Sequence, residues 1–319
     1  MSRKLHTHIG IPVLILASVS ASADVLLAGD LHGDRVLSYD ATTGAFLGVF
    51  ADTHIDGPQG LAMDSSGNVY VASEYSSNIT KWSPGGVFLG EFGAPGLAGP
   101  QDIEFGPDGN FYVNAHVPLV ADSVWKFDGV TGAFLGMHGL GGGFAHTHGM
   151  SWRPSDGDLY QGLLAGPSSM VRRFDGPTGA MLTPFTMDET LAINSDILWG
   201  PDDNLYASNP LVGGFGIAGI TRFDGATGAY LGLFSDLGLG GSWGMAFRDS
   251  WLYYSVGSAV VRVDAATGGT PTLFASGGGM SVATSILFMP VPEPASGVCL
   301  GLFVVGSGLL TRLHRRRLS

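Results

Sequence analysis

Three histidines are spaced so that they could bind one metal ion. His146 and His148 lie two residues apart in the extended segment "HTHGMSW", and side chains two positions apart on a strand point to the same side. His116 ends a similar segment one repeat earlier. Imidazole nitrogen is a common ligand of zinc and of other borderline metals. The spacing therefore predicts a zinc site formed by His116, His146 and His148. The alternative is that these are loop histidines that face solvent or bond to backbone carbonyls.

A second set of candidate ligands consists of oxygen donors. Asn194, Asp196 and Glu74 carry the amide and carboxylate oxygens that calcium prefers. In the repeat described below, the starts of the first strands and the ends of the second strands should meet on one face of the fold. We expect the binding residues on that face to be Glu74, Asp102, Asn114, His116, His146, His148, Asn194, Asp196 and Asn209. Glu104 lies within a strand, where the sequence allows it either to face a central channel or to pair with Lys126.

Other kinds of chemistry find no support in the sequence. There is no Gly-x-Ser-x-Gly nucleophile motif, and the one cysteine, Cys299, lies near the C-terminus. The glycine run at Gly139 lacks the lysine of a phosphate-binding loop. The formal net charge is −12, and six of the 15 lysines and arginines lie at the two chain ends, so the middle of the chain is strongly acidic. Such a surface repels phosphate backbones, and a nucleic acid is therefore not an expected partner.

A repeated phrase defines the elements that would position these residues. It reads "FDGATGAYLG" from Phe223. Variants of it begin at Tyr39, Trp82, Phe127, Phe174 and Val263. Consecutive copies are 40 to 49 positions apart, a period typical of repeat folds. The aspartate of the phrase (a serine in one copy) can accept hydrogen bonds from backbone N–H groups just downstream, and the glycine can adopt a positive φ. The phrase therefore predicts a tight turn between two antiparallel strands.

Each repeat is expected to form four short antiparallel strands. A second phrase, for example "GPQGLAMDSSGNVYVAS" from Gly57, places two short strands around a glycine-bearing turn, and no segment shows a sustained helical period. Four strands in a repeat of this length are typical of one propeller blade. The sequence thus predicts an all-β, six-bladed β-propeller of four-stranded blades over residues 24–290. The segment from Ser281 has only a first strand and the segment from Asp24 lacks one, so we expect the two to pair and close the ring.

The two chain ends carry sequence signals of their own. Arg3 and Lys4 precede the apolar run "IGIPVLILASVS" and the small residues "ASA", which predicts a cleavable signal peptide over residues 1–23, with a membrane anchor as the alternative. Residues 291–319 contain "VPEP", an uncharged run of about 17 residues that is just long enough to span a bilayer, and an arginine cluster. Because positive residues stay on the cytoplasmic side, we expect residues 24–290 to be exported and held at the membrane.

The order of motifs in residues 291–319 resembles the PEP-CTERM sorting signal of Gram-negative bacteria. Its parts here are Pro292, Glu293 and Pro294, the apolar run, and the arginines Arg315, Arg316 and Arg317. The resemblance implies that an exosortase processes the chain and that the membrane holds it at least transiently. It also implies a final location at the cell surface or in the extracellular matrix, among exopolysaccharides. An ordinary C-terminal membrane anchor is the alternative interpretation.

The phrases "GPQGLAMDSSGNVYVAS" and "GPDGNFYVNA" resemble those of NHL-type and gluconolactonase-like six-bladed propellers. In gluconolactonases a Glu, Asn residues and an Asp surround a channel metal, so the resemblance implies a divalent metal, calcium or zinc, in the channel. However, the first inner strand here has no glutamate, and Gly-Pro-Gln stands where that family has Pro-Asn-Gly. Both departures argue against lactonase activity.

Two functions fit these observations. The first is a non-catalytic, exported and surface-attached propeller that binds a partner such as an extracellular polysaccharide or another surface protein. The alternative is a metal-dependent hydrolase or lyase, lactonase-like, that acts at the central channel. The metal content of the purified protein, together with the variants His146→Ala and His148→Ala, would distinguish the two.

Overall fold

The computed structural model describes residues 24–290 of the 319-residue chain, except residues 94, 116–122, 141–145, 165–168, 189–195, 210–218 and 237–241. The described residues form strands, turns and bends, without a helix. The chain divides into a compact unit, Ala23–Val291, which holds every described strand, and a unit made of its two ends. The predicted signal peptide and sorting tail lie outside the described residues, among which no helix is long and apolar enough to cross a membrane.

Short strands follow one another along the described chain, most of them five to seven residues long. The first eleven are β1 (Val25–Asp30), β2 (Arg35–Asp40), β3 (Phe46–Ala51), β4 (Pro58–Met63), β5 (Val69–Ser73), β6 (Asn78–Trp82), β7 (Phe88–Phe92), β8 (Pro100–Phe105), β9 (Phe111–Ala115), β10 (Ser123–Phe127) and β11 (Phe134–Leu140). The others are β12 (His146–Trp152), β13 (Leu159–Leu164), β14 (Ser169–Phe174), β15 (Thr186–Asp188), β16 (Asp196–Trp199), β17 (Leu205–Asn209), β18 (Gly219–Phe223), β19 (Tyr230–Asp236), β20 (Ser242–Arg248), β21 (Trp251–Val256), β22 (Ala259–Asp264), β23 (Gly268–Ser276) and β24 (Ala283–Met289).

Hydrogen bonding arranges these strands as antiparallel meanders of an all-β propeller. Four sheets have four strands each, in the orders β24-β1-β2-β3, β4-β5-β6-β7, β11-β10-β9-β8 and β12-β13-β14-β15. The fifth sheet has eight strands, in which the runs β16–β19 and β20–β23 are joined by one parallel bridge between Ser235 and Gly269. The sheets therefore differ from the six separate four-stranded sheets expected from the sequence.

The corner phrase forms the tight turn predicted from the sequence. At Asp224, Oδ1 accepts hydrogen bonds from the N–H of Ala226 at 3.1 Å and from the N–H and hydroxyl of Thr227 at 2.8 and 2.7 Å. Gly228 follows with a φ of 71°, and its N–H donates to the Asp224 carbonyl. The aspartates of four other copies accept from the backbone in the same way, namely Asp40, Asp128, Asp175 and Asp264. The predicted structural role of the phrase is confirmed.

The glycine of the corner has a second role, which is contact with the preceding outer strand. A Cβ at Gly228 would lie 2.1 Å from the Phe185 carbonyl oxygen, and one at Gly268 would lie 2.1 Å from that of Phe234. At the latter corner the two outer strands also form a parallel bridge between Ser235 and Gly269, and Ser235 Oγ donates to the Gly269 carbonyl at 2.8 Å. This local contact merges the last two four-strand runs into one sheet.

The N- and C-terminal segments pair, as expected from the incomplete repeats at the two ends. Strand β24 runs antiparallel to β1, with Met289 opposite Val25. Asp30 at the end of β1 has no exposed surface. It accepts a hydrogen bond from the Ser281 N–H at 2.8 Å, another from the Ser281 hydroxyl, and an ion-paired bond from Arg35 Nε at 3.0 Å. The predicted pairing is confirmed.

The first strand of each four-strand run alternates between two environments. Its central apolar residue is buried against a neighbouring sheet, and these residues are Leu61, Ile103, Met150, Ile197, Met245 and Ile286. Successive side chains of a strand point to opposite faces. The residues immediately before and after the buried ones therefore face the centre of the propeller, where they form the candidate site.

Candidate functional site

The first strands surround a central channel. Strand β4 contacts β8 and β24, β12 contacts β8 and β16, and β20 contacts β16 and β24. The channel contains a chamber of about 460 Å³. One side chain from each strand lies at its middle level, namely Ala62, Glu104, Ser151, Leu198, Ala246 and Leu287. Four of these six side chains are apolar and one is ionisable, while polar and apolar atoms contribute about equally to the surface of the whole chamber.

At one end the channel narrows to a neck of about 20 Å³. At this level the six strands contribute in turn Gly60, Asp102, Gly149, Asp196, Gly244 and Ser285. The side chains of Asp102, Asp196 and Ser285 each accept a hydrogen bond from a backbone N–H of the neighbouring first strand. In each case the donor residue directly follows a glycine. These bonds run from Met150 to Asp102 at 2.8 Å, from Met245 to Asp196 at 2.7 Å, and from Leu61 to Ser285 at 3.3 Å. The neck is thus a ring in which glycines alternate with hydrogen-bond acceptors.

Two of these glycines have no room for a side chain. A Cβ at Gly149 would lie 2.5 Å from Asp196 Cα. A Cβ at Gly244 would lie 2.6 Å from the Thr284 carbonyl oxygen and 2.7 Å from Ser285 Cα. Cβ atoms essentially never come within 3.0 Å of such atoms. The glycines therefore allow neighbouring strands to approach closely enough for the bonds of the neck to form.

Three carboxyl groups share the channel, and none of its described lining residues is a lysine or an arginine. Burial raises the pKa of Asp102 to about 7, although the N–H groups of Met150 and Ile103 donate to it. Burial, and then the charge of Asp102, raises the pKa of Asp196. Burial, followed by the charge of Asp102, also raises the pKa of Glu104. Bringing a cation into the channel would favour the charged forms of these groups.

Glu104 faces the chamber, which decides between the two positions that the sequence left open. Lys126, the partner in the other of these two possibilities, lies 2.8 Å from Asp108 Oδ2, with its Nζ over the ring of Tyr112. The backbone N–H of Trp152 donates to the Glu104 carboxylate. Glu104 Oε2 is buried without a hydrogen-bond partner among the described residues.

Polar side chains line the outer side of the neck. Gln101 is 6% exposed, and its Oε1 has no hydrogen-bond partner in the described part of the chain. The ring of His148 lies 5.7 Å from that of Trp243, centroid to centroid. Gln59 also lines the neck, and its Nε2 donates to Glu74 Oε2 at 2.7 Å. Of the predicted binding residues, Asp102, Asp196 and His148 therefore meet at the neck, with Glu74 next to it.

The predicted binding residues Asn114 and Asn209 are buried and do not face the channel mouth. Asn114 Oδ1 accepts hydrogen bonds from Thr147 Oγ1 at 2.8 Å and from Gln161 Nε2 at 2.9 Å. Its Nδ2 donates to the His148 carbonyl at 2.9 Å. The Asn209 amide donates within its own sheet. Because buried amides require partners, Asn114 connects strands inside the protein and is not available to a ligand. Asn209 Oδ1, in contrast, has no hydrogen-bond partner among the described residues.

The predicted histidine site cannot be built from the described residues. His116 and Asn194 lie outside them, and of His146 only the backbone, in β12, is described. Among the described side chains, no three His, Cys, Asp or Glu residues are placed to hold one metal ion. The zinc and calcium sites therefore stay predictions.

Sequence reasoning missed the alternating neck, although the signal was present. The first strands contain "QGLA", "QDIE", "HGMS", "SDIL", "WGMA" and "TSIL", which place Gly, Asp, Gly, Asp, Gly and Ser in one column. Aligning the six first-strand segments, instead of searching for one type of ligand at a time, would have shown that glycine alternates with a polar residue three times around the ring. The channel position of Glu104, two residues further along, follows from the same column.

Comparisons with known proteins identify the fold. No family model matches the sequence, and no curated protein matches it. A chain from the crystal structure of a nidogen/laminin complex has a TM-score of 0.68 at 15% identity, over 84% of this chain and 98% of that chain. A putative gluconolactonase has a TM-score of 0.62 at 14% identity, over 82% of this chain and 89% of its own. Hydrazine synthase from Kuenenia stuttgartiensis has a TM-score of 0.60 at 16% identity, over 80% of each chain. At these identities the likeness shows the fold alone, which is that of a β-propeller.

Proposed function

We propose that this chain is a non-catalytic, six-bladed β-propeller that binds its partner through the central channel. The observation that carries the proposal is the chamber of about 460 Å³, whose wall combines apolar side chains of the first strands with partly buried carboxyl groups. Concave, mostly apolar cavities with a few convergent polar groups are the usual sites of ligand binding.

The count of six blades is supported by contacts between neighbouring corners. Each corner glycine lies close to the outer strand of the preceding blade. The first corner lies in the same way against the last outer strand, because a Cβ at Gly44 would lie 1.9 Å from the carbonyl oxygen of Phe274 in β23, and the ring of blades is thereby closed. The bridge between Ser235 and Gly269 is then a contact between two blades that happens to satisfy hydrogen-bond geometry. On this account the eight-stranded sheet contains two blades.

Binding without catalysis is favoured by how the acids of the neck are used. Both Asp102 and Asp196 accept backbone N–H groups from their own strand and from the next one. These bonds fix the carboxylates as parts of the ring and leave little freedom for proton transfer to a substrate. A metal-dependent hydrolase or lyase remains the alternative, and the neighbours in structure include both a protein–protein complex and a putative gluconolactonase.

Export and attachment form a separate part of the proposal. We infer a signal peptide over residues 1–23 and an exosortase-processed tail over residues 291–319, which would place the propeller at the cell surface, near extracellular polysaccharide or another surface protein. The sequence motifs of the two ends support this inference. Fractionating cells and sequencing the N-terminus of the mature protein tests it. A mature chain that begins at Met1 in the cytoplasm would refute it.

The channel proposal is tested by filling the chamber. Ala246 lies in the chamber wall, and Ala246→Phe would occupy part of the volume. Val130, which is 84% exposed on a turn, provides the matched control Val130→Phe. A small-molecule fragment library is screened by ligand-observed NMR against the full chain and both variants. We expect ligands that bind wild type and Val130→Phe but not Ala246→Phe, with unchanged unfolding temperatures. Fragments that bind all three proteins equally would contradict a channel site.

A further inference from the structure

We propose that the chamber selects organic cations, with the ammonium head toward the neck, where Asp102, Glu104 and Asp196 line the channel, and the apolar body in the chamber. This inference rests on the proposed function, because it names the class of ligand that the channel takes. The ligand is a primary amine with a short aliphatic or aromatic body.

The head of the ligand would meet carboxylates without a competing protein cation. All three acids line the channel, and no lysine or arginine is among its described lining residues. Some acids elsewhere in the described chain have such partners, for example Asp64 with Lys81 at 3.3 Å and Asp158 with Arg173 at 2.7 Å. A cation that enters the channel would meet no competing lysine or arginine among its described lining residues.

A buried hydrogen-bond acceptor without a partner belongs to a residue that lines the neck. Gln101 is 94% buried, since its exposed fraction is 6%, and its Oε1 lines the neck without a hydrogen-bond partner among the described residues. Glu104 Oε2 also has none there. Leaving such buried acceptors unpaired costs free energy that a donor would recover. An ammonium group is a donor of three hydrogen bonds and accepts none, which matches this set of acceptors.

The size and polarity of the channel favour an organic cation over a metal ion. The neck has about 20 Å³, room for about one water-sized group, so it admits an ammonium head but not the body of the ligand. Beyond it the wall includes Leu198, Ala246 and Leu287. Calcium needs about six or more oxygen ligands, and no three His, Cys, Asp or Glu side chains in the described part of the chain are placed to hold one metal ion. Burying an alkyl chain against them contributes about 25 cal/mol per Å² of apolar surface.

Binding should release protons at neutral pH. Burial raises the pKa of Asp102 to about 7, and burial also raises the pKa of Glu104. The titratable groups that line the channel around them are the three channel acids and His148 of β12; the described lining residues of β4, β20 and β24 contribute none. An ammonium ion favours the charged carboxylates, and the displaced protons pass to the buffer. Affinity should therefore increase as the pH rises to about 8, where an alkyl amine is still protonated.

The test is calorimetric titration of the full chain with hexylammonium, hexanol, hexanoate and, separately, calcium chloride. We expect hexylammonium to bind at least about tenfold more tightly than hexanol, with proton release that appears as a dependence of the enthalpy on the buffer. Glu104→Gln keeps the shape of the side chain and should weaken hexylammonium binding by about tenfold or more. The matched control Glu91→Gln, on the exposed outer strand β7, should leave it unchanged.

The outcomes separate this inference from the proposed function. Equal affinity for hexanol and hexylammonium, with both lost in Ala246→Phe, would refute the ammonium head and leave channel binding intact. Tight calcium binding without hexylammonium binding would refute the organic cation in favour of a metal. If Glu104→Gln does not fold, the wild type alone tests the ammonium head. Hexylammonium should release protons on binding, whereas hexanol, which has no charge, should release none. Absence of binding to every probe and every fragment would overturn both proposals.

Discussion

Replacing Gly149 with alanine should separate two blades at the neck. The added Cβ would lie 2.5 Å from Asp196 Cα and 2.7 Å from the Ile197 backbone nitrogen. These are backbone atoms of the next first strand, so no side-chain rotation can relieve the contact. Gly149 does not have a positive φ, and the effect therefore comes from packing alone. The strand must move, which stretches the hydrogen bond from the Met150 N–H to Asp102, 2.8 Å long in the wild type.

The expected cost follows from the size of the overlap. Overpacking of a rigid core costs roughly 1–3 kcal/mol, and a contact with fixed backbone belongs at the upper end, at about 2–3 kcal/mol. For a domain of this size, each kcal/mol lowers the unfolding temperature by roughly 2–4 °C. We therefore expect Gly149→Ala to lower it by about 4–12 °C. Thermal and guanidinium unfolding, followed by tryptophan fluorescence, provide the measurement.

Two other glycines test whether the loss of stability follows the size of the steric overlap. A Cβ at Gly60 would lie 3.0 Å from Asp102 Cα, and a Cβ at Gly85 would meet only the Ser83 hydroxyl at 3.9 Å. Gly60→Ala should cost less than Gly149→Ala, and Gly85→Ala should be neutral or slightly stabilising, because it removes freedom from the unfolded chain. Equal losses of stability in all three variants would refute the packing explanation, since they would then reflect only a general intolerance of alanine.

Three further predictions concern charge and pH. Asp30→Asn should destabilise the fold by about 2 kcal/mol in denaturant titrations, because it removes the charge from a partly buried ion pair with Arg35 at the junction of β24 and β1. A loss below about 0.5 kcal/mol would show that this junction is not held by the pair. His138 is buried, and burial followed by the charge of Lys126 lowers its pKa, so unfolding favours proton uptake below about pH 6.5. The unfolding temperature of the wild type should therefore fall relative to that of His138→Phe between about pH 8 and pH 5, and parallel curves would contradict this. Burial raises the pKa of Glu104, so its charged form destabilises the native state above about pH 4.5. Glu104→Gln should consequently raise the unfolding temperature at about pH 8 but not at about pH 4, and the opposite order would mean that the native state prefers the charged carboxylate.

Most of the architecture could be predicted from the sequence because it depends on local turn chemistry. The phrase around Asp224 specifies its own hydrogen bonds within four residues, from the carboxylate to the N–H of Thr227 and from the N–H of Gly228 to the carbonyl. The pairing of β24 with β1 followed from counting strands in incomplete repeats. The number of separate sheets could not be predicted. The bridge at Ser235 depends on the distance between two outer strands, and the spacing of the repeats in the sequence does not determine that distance.

The candidate site was only partly predictable. The positions of Asp102 and Asp196 on the channel follow from the period of two along a strand. Asn114 was misjudged because a polar side chain at the end of a second strand has two options, which are to face a ligand or to satisfy buried partners. The choice depends on Thr147 and Gln161 of the next sheet, which approach it only after folding.

A crystal structure of the full chain with bromohexylammonium would test the central claim most directly, since bromine is located by its anomalous scattering. The account predicts one strong bromine peak in the chamber between Leu198, Ala246 and Leu287, with the ammonium group toward Glu104 and the neck. A bromine peak only on the outer surface, or ligand density in the channel with the bromine at the neck and the ammonium in the open end, would contradict it.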